Sequence, residues 1–226
     1  MALHHASAAD AAMGYPDAAL ALAGELRGAG CEIASVDADL SETGAAARVM
    51  SESLRALGGI DILVLCASVQ IRQPFEAVTR ESIERHTRIN FDASIELLQL
   101  ALGAMTGQRF GRIISIGSVL QARPHRDLAV YAALKSAQHN LILGIARQHA
   151  AAGITANTIA PGLIETPRNA SRRRDAGEWA SIQKASNPMG RAGTPEEVAH
   201  VAALLAAPAG AFITGAEIPV DGGGRL

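Results

Sequence analysis

What this sequence does not contain narrows it first. It has two cysteines, Cys31 and Cys66, too few for a disulfide framework. Each stands next to or inside an apolar run, so both are read as small buried residues in a reducing, cytoplasmic setting. The amino terminus has no charged start leading into an apolar core, and no apolar run reaches about 18 residues, so neither a signal peptide nor a membrane span is expected. A basic stripe is missing too, and a net charge of -2 offers nothing to draw in nucleic acid or an anionic membrane. The seven histidines are scattered and form no HExxH or Cys/His cluster, so no metal site is expected. No internal repeat or low-complexity linker interrupts the 226 residues, which read as a single domain, 1–226.

What is present is a regular alternation. Short β-type runs, ALHH (2–5), EIASVD (32–37), DILVLC (61–66), RIISIG (112–117), ITANTI (154–159) and EIPV (217–220), are separated by longer helical stretches. Several runs are almost wholly apolar, as strands of a parallel sheet covered on both faces should be. Pro16 opens a helix that Gly28 and Gly30 close, and Thr194-Pro195-Glu196-Glu197 is a capping box with proline at the first helical position. A long helix from near Thr79 carries Phe91, Ile95, Leu98, Leu102 and Met105 on one face; another, starting just before Tyr131, aligns Leu134, Ala137, Leu141 and Ile145. Leu97, Leu100, Ala101 and Leu143 add more apolar surface than packing on one sheet requires, so these two helices are expected to carry a homo-oligomer contact.

One pair of residues on the second helix suggests chemistry. Tyr131 and Lys135 are four apart and share a helical face, and both groups ordinarily titrate near pH ~10. An ammonium beside a phenol favours the phenolate, which would bring Tyr131 toward the range where a general acid or base works at neutral pH. Ser118 follows the apolar strand RIISIG at its carboxyl end, the edge where open α/β sheets bind ligands. Asn90 lies inside the long helix, where its side chain is mildly unfavourable and would face a polar pocket or hold a water; an ordinary exposed asparagine is the bland alternative.

From Asp39 onward the segments DADLS, RINFDAS, SIGSV, YAALK, NTIAPGLIETP, GRAGTPEEVA and ITGAEIPVDGG occur in an order that resembles the short-chain dehydrogenases/reductases, in particular their 3-oxoacyl-(acyl carrier protein) reductase-like members. The resemblance implies a catalytic tetrad of Asn90, Ser118, Tyr131 and Lys135. In it Tyr131 exchanges a proton with a carbonyl or alcohol oxygen, Ser118 hydrogen-bonds that oxygen, Lys135 supports the phenol and grips the nicotinamide ribose, and Asn90 holds a relay water. Hydride would pass between a small-molecule substrate and NADP(H). The resemblance further implies cofactor contacts from Asp39 and Leu40 at the adenine, from Cys66, Ala67 and Ser68 where the family has Asn-Ala-Gly, from Tyr131 and Lys135, and from Pro161, Gly162, Ile164 and Thr166 at the carboxamide. The segment 166–190 corresponds to the substrate lid, in which Arg172, Arg173 and Arg174 could attract an anionic substrate and Trp179 could pack on an apolar chain.

The chain departs from the family at its start. Members open on a strand, a TGxxxGxG turn and a helix, whereas ALHH reads as their second strand. The expected fold is therefore a Rossmann-like doubly wound parallel sheet flanked by helices but lacking the family's first β-α unit. The glycines of GELRGAG (Gly24, Gly28, Gly30) end a helix, the reverse of a phosphate loop, so they supply no substitute. Losing charge-assisted bonds worth roughly 1.5–3 kcal/mol each would weaken or abolish dinucleotide binding. His4-His5-Ala6-Ser7 offers no acidic residue for a ribose, which favours NADP over NAD. Two rivals arise from the short start: a cofactor-free serine hydrolase using Ser118, which lacks a GxSxG elbow, and a non-enzymatic binding subunit.

Overall fold

Alternation along the chain becomes alternation in space. In this computed structural model, which describes residues 1–226, the strands are β1 (Ala2–His5), β2 (Ala34–Asp37), β3 (Ile62–Leu65), β4 (Gly111–Ile116), β5 (Ile154–Pro161) and β6 (Glu217–Val220), and every pairing is parallel. The α-helices are α1 (Ser7–Ala12), α2 (Ala18–Gly28), α3 (Ala45–Leu57), α4 (Arg80–Thr87), α5 (Ala93–Gln108), α6 (Ala129–His149), α7 (Ala176–Ser186) and α8 (Pro195–Ala206). No helix is long and apolar enough to cross a membrane.

Helices cover the sheet on both faces. Ile113 and Ile114 are adjacent on β4 and so point to opposite layers. Ile113 packs with Leu97, Leu98, Ala101 and Met105 of α5 and Ile142 of α6, while Ile114 packs with Ile159 of β5 and Leu205 of α8. Each such fully buried side chain contributes about 1.5–3 kcal/mol. The ladder is not continuous: β1 pairs only with β2, and β3, β4, β5 and β6 form a second sheet. Ile62 and Val64 on the edge strand β3 each remain 47% exposed.

The opening of the chain corrects the sequence reading. The first β-α unit is not missing: the chain begins with strand β1, and α1 succeeds it directly. The source of the error is the absent TGxxxGxG turn, which this unit does without. Ala6, in an extended conformation, carries the chain from strand to helix, and the Asp37 carboxylate at the end of β2 accepts from both the Ser7 amide (3.0 Å) and its hydroxyl (2.5 Å). A side chain from the neighbouring strand thus satisfies the helix start that a glycine turn was expected to make. Hydrogen bonds from the Ser7 hydroxyl and amide hold Asp37 below the usual carboxylate range.

Three further expectations are corrected. Both cysteines are exposed: Cys31 comes after the helix-ending Gly30, and Cys66 stands just past β3 where the chain leaves the sheet. The helix starting at Thr79, whose hydroxyl accepts from the Ser82 amide, is interrupted by a π turn over Arg88–Asp92. The extra residue in that turn rotates the remainder of the helix, so the deepest stripe of α5 is Ala93, Ser94, Leu97, Leu98, Ala101 and Met105, and Phe91, Ile95 and Leu102 are only half-buried. On α6 the innermost face is partly polar: Tyr131, Lys135 and Gln138 are buried, whereas Leu134, Ala137 and Leu141 are half-exposed.

Candidate active site

Parallel register brings three strand ends to one edge. Leu65 pairs with Ser115 and Ser115 with Thr158, so Cys66, Ser118 and Gly162 lie just beyond the carboxyl ends of β3, β4 and β5, where open α/β sheets take ligands. Ser118 caps a short 3-10 turn, Val119–Gln121: its Oγ accepts from the Leu120 amide at 3.2 Å, and Gln121 Oε1 accepts from the Ser118 amide at 3.2 Å. That reciprocal box fixes the serine, and because Oγ is already an acceptor toward Leu120, its own O–H is left to donate elsewhere.

Tyr131 sits in the first turn of α6, buried, with its ring edge-on to His86 at 6.5 Å. Lys135, one turn later, is 1% exposed. Its Nζ donates to the Ile116 carbonyl at 2.7 Å and to Gln138 Oε1 at 3.0 Å, and lies 6.0 Å from the centre of the Tyr131 ring. An ammonium has three donors, so one N–H remains uncommitted. Burial pushes the Lys135 ammonium down to about 8, yet leaves it mostly charged at neutral pH.

Asn90 lies within the π turn and is fully buried. Its side chain is a two-point clamp, Oδ1 accepting from the Val69 amide and Nδ2 donating to the Val69 carbonyl, both at 2.8 Å. The carboxamide is therefore spent on the loop after β3, and the main-chain carbonyl of Asn90 accepts from the Ser94 hydroxyl at 3.4 Å. His86 fastens the same loop: its Nε2 accepts from the Ile71 amide at 3.1 Å while Nδ1–H donates to the Ser82 carbonyl at 2.8 Å, a pattern that requires the neutral ring. Burial correspondingly pushes the His86 imidazole below its ordinary range.

The residues expected to meet a cofactor are distributed along this edge. Asp39 accepts from the Ser41 amide at 2.8 Å, which holds its carboxyl below the usual range, and Leu40 beside it is buried in the core. Cys66 and Ala67 are exposed, and the Ser68 hydroxyl oxygen is sealed from solvent without a partner. Pro161 ends β5, and a Cβ on Gly162 would come within 2.9 Å of the Asp221 Cα, so that turn admits no side chain. Ile164 bridges to Gly193, and Thr166 precedes the short turn Pro167–Asn169. An unpartnered buried hydroxyl, an uncommitted Lys135 N–H and a backbone stripped of side chains at Gly162 fit a nicotinamide ribonucleoside.

The lid adds charge. Arg168 donates to the Ser68 carbonyl at 3.0 Å and its charge acts on Lys135. Arg172 is half-buried beside Arg72, with no ion pair of its own, whereas Arg173 pairs with Glu165 at 3.2 Å and Arg174 is exposed. Trp179 is half-buried on α7. Sequence reasoning missed His86, Ser94, Gln138 and Arg168. Gln138 was within its reach, since it lies three residues past Lys135 on the same helical face.

Comparison with known proteins places this geometry. The enoyl-(acyl carrier protein) reductase family model matches residues 2–224, from the first strand onward. The chain is 33% identical over 194 residues to the acetoacetyl-CoA reductase of Allochromatium vinosum, covering 86% of this chain and 78% of that protein. It is 34% identical over 190 residues to a 3-oxoacyl-[acyl-carrier-protein] reductase of Mycobacterium tuberculosis, covering 83% and 75%. Among solved structures, a 3-oxoacyl (acyl-carrier-protein) reductase from Agrobacterium tumefaciens C58 with NADP bound superposes with a TM-score of 0.91 at 37% identity, over 98% of this chain and 83% of that one. A blue fluorescent protein from a metagenomic library in complex with NADPH gives 0.87 at 33% identity, over 100% and 87%.

Proposed function

We propose a reaction for this chain on a plain premise: it belongs to the short-chain dehydrogenase/reductase family. It is an NAD(P)-dependent oxidoreductase, and the nicotinamide, when bound, supplies or takes the hydride exchanged with the carbon of a carbonyl or secondary alcohol. NADP(H) is the cofactor, as it is for the Agrobacterium reductase. Lys135, Tyr131, Ser68, Pro161, Gly162, Ile164 and Thr166 would hold its nicotinamide half, and Asp39, Leu40, Cys66 and Ala67 line the adenosine side.

In the direction of reduction, Tyr131 donates its phenolic proton to the carbonyl oxygen. Ser118 donates a hydrogen bond to the same oxygen with the O–H that its capping role leaves free. The Lys135 ammonium offsets the negative charge that develops on the phenol oxygen. Asn90 fixes the loop over the site through Val69 and offers its main-chain carbonyl to a water that restores the proton. The observation that carries this reading is the burial of Lys135 with two acceptors and one N–H to spare, since a charged amine is kept out of water only where something needs it.

The lid 166–190, within a single domain, would close over a carbonyl substrate bearing an anion, which Arg72, Arg168 and Arg172 would receive. A 3-oxoacyl thioester is the substrate class the relatives favour. We further infer a cytoplasmic homo-oligomer, joined through the outer faces of α5 and α6, where Leu100 and Leu143 are exposed. The test measures oxidation of NADPH with a 3-oxoacyl thioester. Tyr131→Phe should lower kcat by about 10²–10⁴-fold without loss of fold; undiminished turnover in that variant would reject the assignment of the acid.

A further inference from the structure

The mechanism leaves one buried polar group without a task. Gln138 is 1% exposed, on the buried face of α6. Its Oε1 accepts from Lys135 Nζ at 3.0 Å and its Nε2 donates to Ser94 Oγ at 2.8 Å. Ser94, also buried, donates in turn to the Asn90 carbonyl at 3.4 Å. A chain of side chains therefore runs from the lysine ammonium to the main-chain carbonyl of Asn90, spanning two helices inside the core. Burying a carboxamide there is costly unless both its ends are used, and both are. The amide orientation is set as well: the ammonium has no lone pair to offer, so Oε1 must face Lys135 and the NH₂ must face Ser94.

We propose that Gln138 is a positioning residue that locks the direction and charge of Lys135 and couples it to Asn90 through Ser94. With one N–H held by the Ile116 carbonyl and a second by Gln138, the tetrahedral ammonium leaves the third a single direction. Without Gln138 the ammonium could swing about its bond to Ile116. The clamp also favours the charged amine, opposing the burial that disfavours it. The ionisable groups facing Lys135 are few: Cys66 from the end of β3, Arg168 from the lid, Tyr131 on α6 itself, and His86 of α4 behind Tyr131; α5 presents only Ser94. No carboxylate is among them, and the side-chain acceptor that meets the ammonium directly is the Gln138 carboxamide. This inference rests on the reductase reading, but one arm of its test does not.

That arm uses the chain without cofactor. Lys135 and Lys184 are the only lysines, so ¹⁵N-lysine labelling gives two side-chain signals, one of them buried. Gln138→Met should lower the Lys135 titration midpoint by about one pH unit, and Gln138→Glu should raise it. Ser94→Ala, which removes a single hydroxyl and decides the matter alone should Gln138→Met not fold, should lower it by less. The second arm measures carbonyl reduction with NADPH. In Gln138→Met, kcat should fall about 10- to 100-fold with KM for NADPH held within about threefold, and the alkaline limb of kcat should move to lower pH in step with the NMR midpoint. An unchanged midpoint in Gln138→Met, or in Ser94→Ala where only that variant folds, overturns the clamp. A shifted midpoint with a wild-type kcat and pH profile overturns the positioning role. A wild-type chain inert toward carbonyls overturns the reductase reading, and shifted midpoints in the NMR arm would then still identify the clamp.

Discussion

Replacing Lys135 by methionine should abolish turnover and at the same time make the protein more stable at neutral pH. Burial shifts this ammonium from 10.5 to about 8. At 1.36 kcal/mol per unit, the folded state bears a penalty of about 3 kcal/mol for holding the charged form. Methionine removes that penalty but forfeits the hydrogen bonds to the Ile116 carbonyl and Gln138, about 1 kcal/mol each, leaving a gain of about 1 kcal/mol at pH 7. The pH dependence is the sharper test because the lost bonds cancel from it. With the folded pKa below the unfolded one, the unfolded chain binds more protons between the two values, so the wild-type protein is penalised in full below pH ~8 and relieved as pH climbs toward ~10.5. Between pH 7 and 9.5 the wild type should gain about 2 kcal/mol on Lys135→Met. Urea unfolding of both proteins at pH 7, 8 and 9.5 reads this directly. A difference that stays flat over that range would falsify the claim that Lys135 is held charged against its burial.

Three other outcomes are expected of the site. Arg172→Ala should reduce kcat/KM about tenfold for a carbonyl substrate carrying a carboxylate or phosphate and leave a neutral ketone unaffected; equal losses on both reject electrostatic capture. His86 is held neutral by burial, so its folded pKa lies below the unfolded one, and stability present above about pH 6.5 is lost as pH falls below it. The drop in Tm from pH 7 to 5 should shrink in His86→Gln, and an equal drop rules out this histidine as its source. Gly162→Ala forces a methyl against the Asp221 backbone and should cost about 1–3 kcal/mol in urea unfolding while raising KM for NADPH; wild-type values for both would show that the turn has slack.

The strands were legible in the sequence because runs buried on both faces are apolar without interruption, and all six lie within two residues of their predicted ends. The capping box at Thr194 and the helix start near Thr79 were legible because their chemistry is local. The strand end before Ser118 and the shared helical face of Tyr131 and Lys135 were legible from spacing, whereas their working as one group was implied only by the family resemblance. What escaped depends on contacts distant in sequence. Nothing local marks Asp37 as the group that starts α1, thirty residues before it, and the missing glycine turn pointed the other way. A π turn has no sequence signature, so of the predicted stripe Leu98 and Met105 lie in the core while Phe91, Ile95 and Leu102 are only half-buried. On α6 both faces carry alanine and leucine, and hydrophobicity ranked the wrong one as inner; the buried side is the one bearing Lys135 and Gln138.

The break in the β-ladder divides the molecule along a seam. No strand pairing crosses it, and the β1–β2 layer is fastened to the larger sheet through α3, whose Val49 and Met50 share a core with Leu97, Leu98 and Ala101 of α5. Side-chain packing alone can let go in a small fluctuation that leaves every backbone pairing intact. The amino-terminal layer should accordingly behave as a separate unit of local opening, its amides exchanging with solvent deuterium well before those of β4 and β5, and a ligand touching both sides of the seam would slow that exchange by stitching the two layers together.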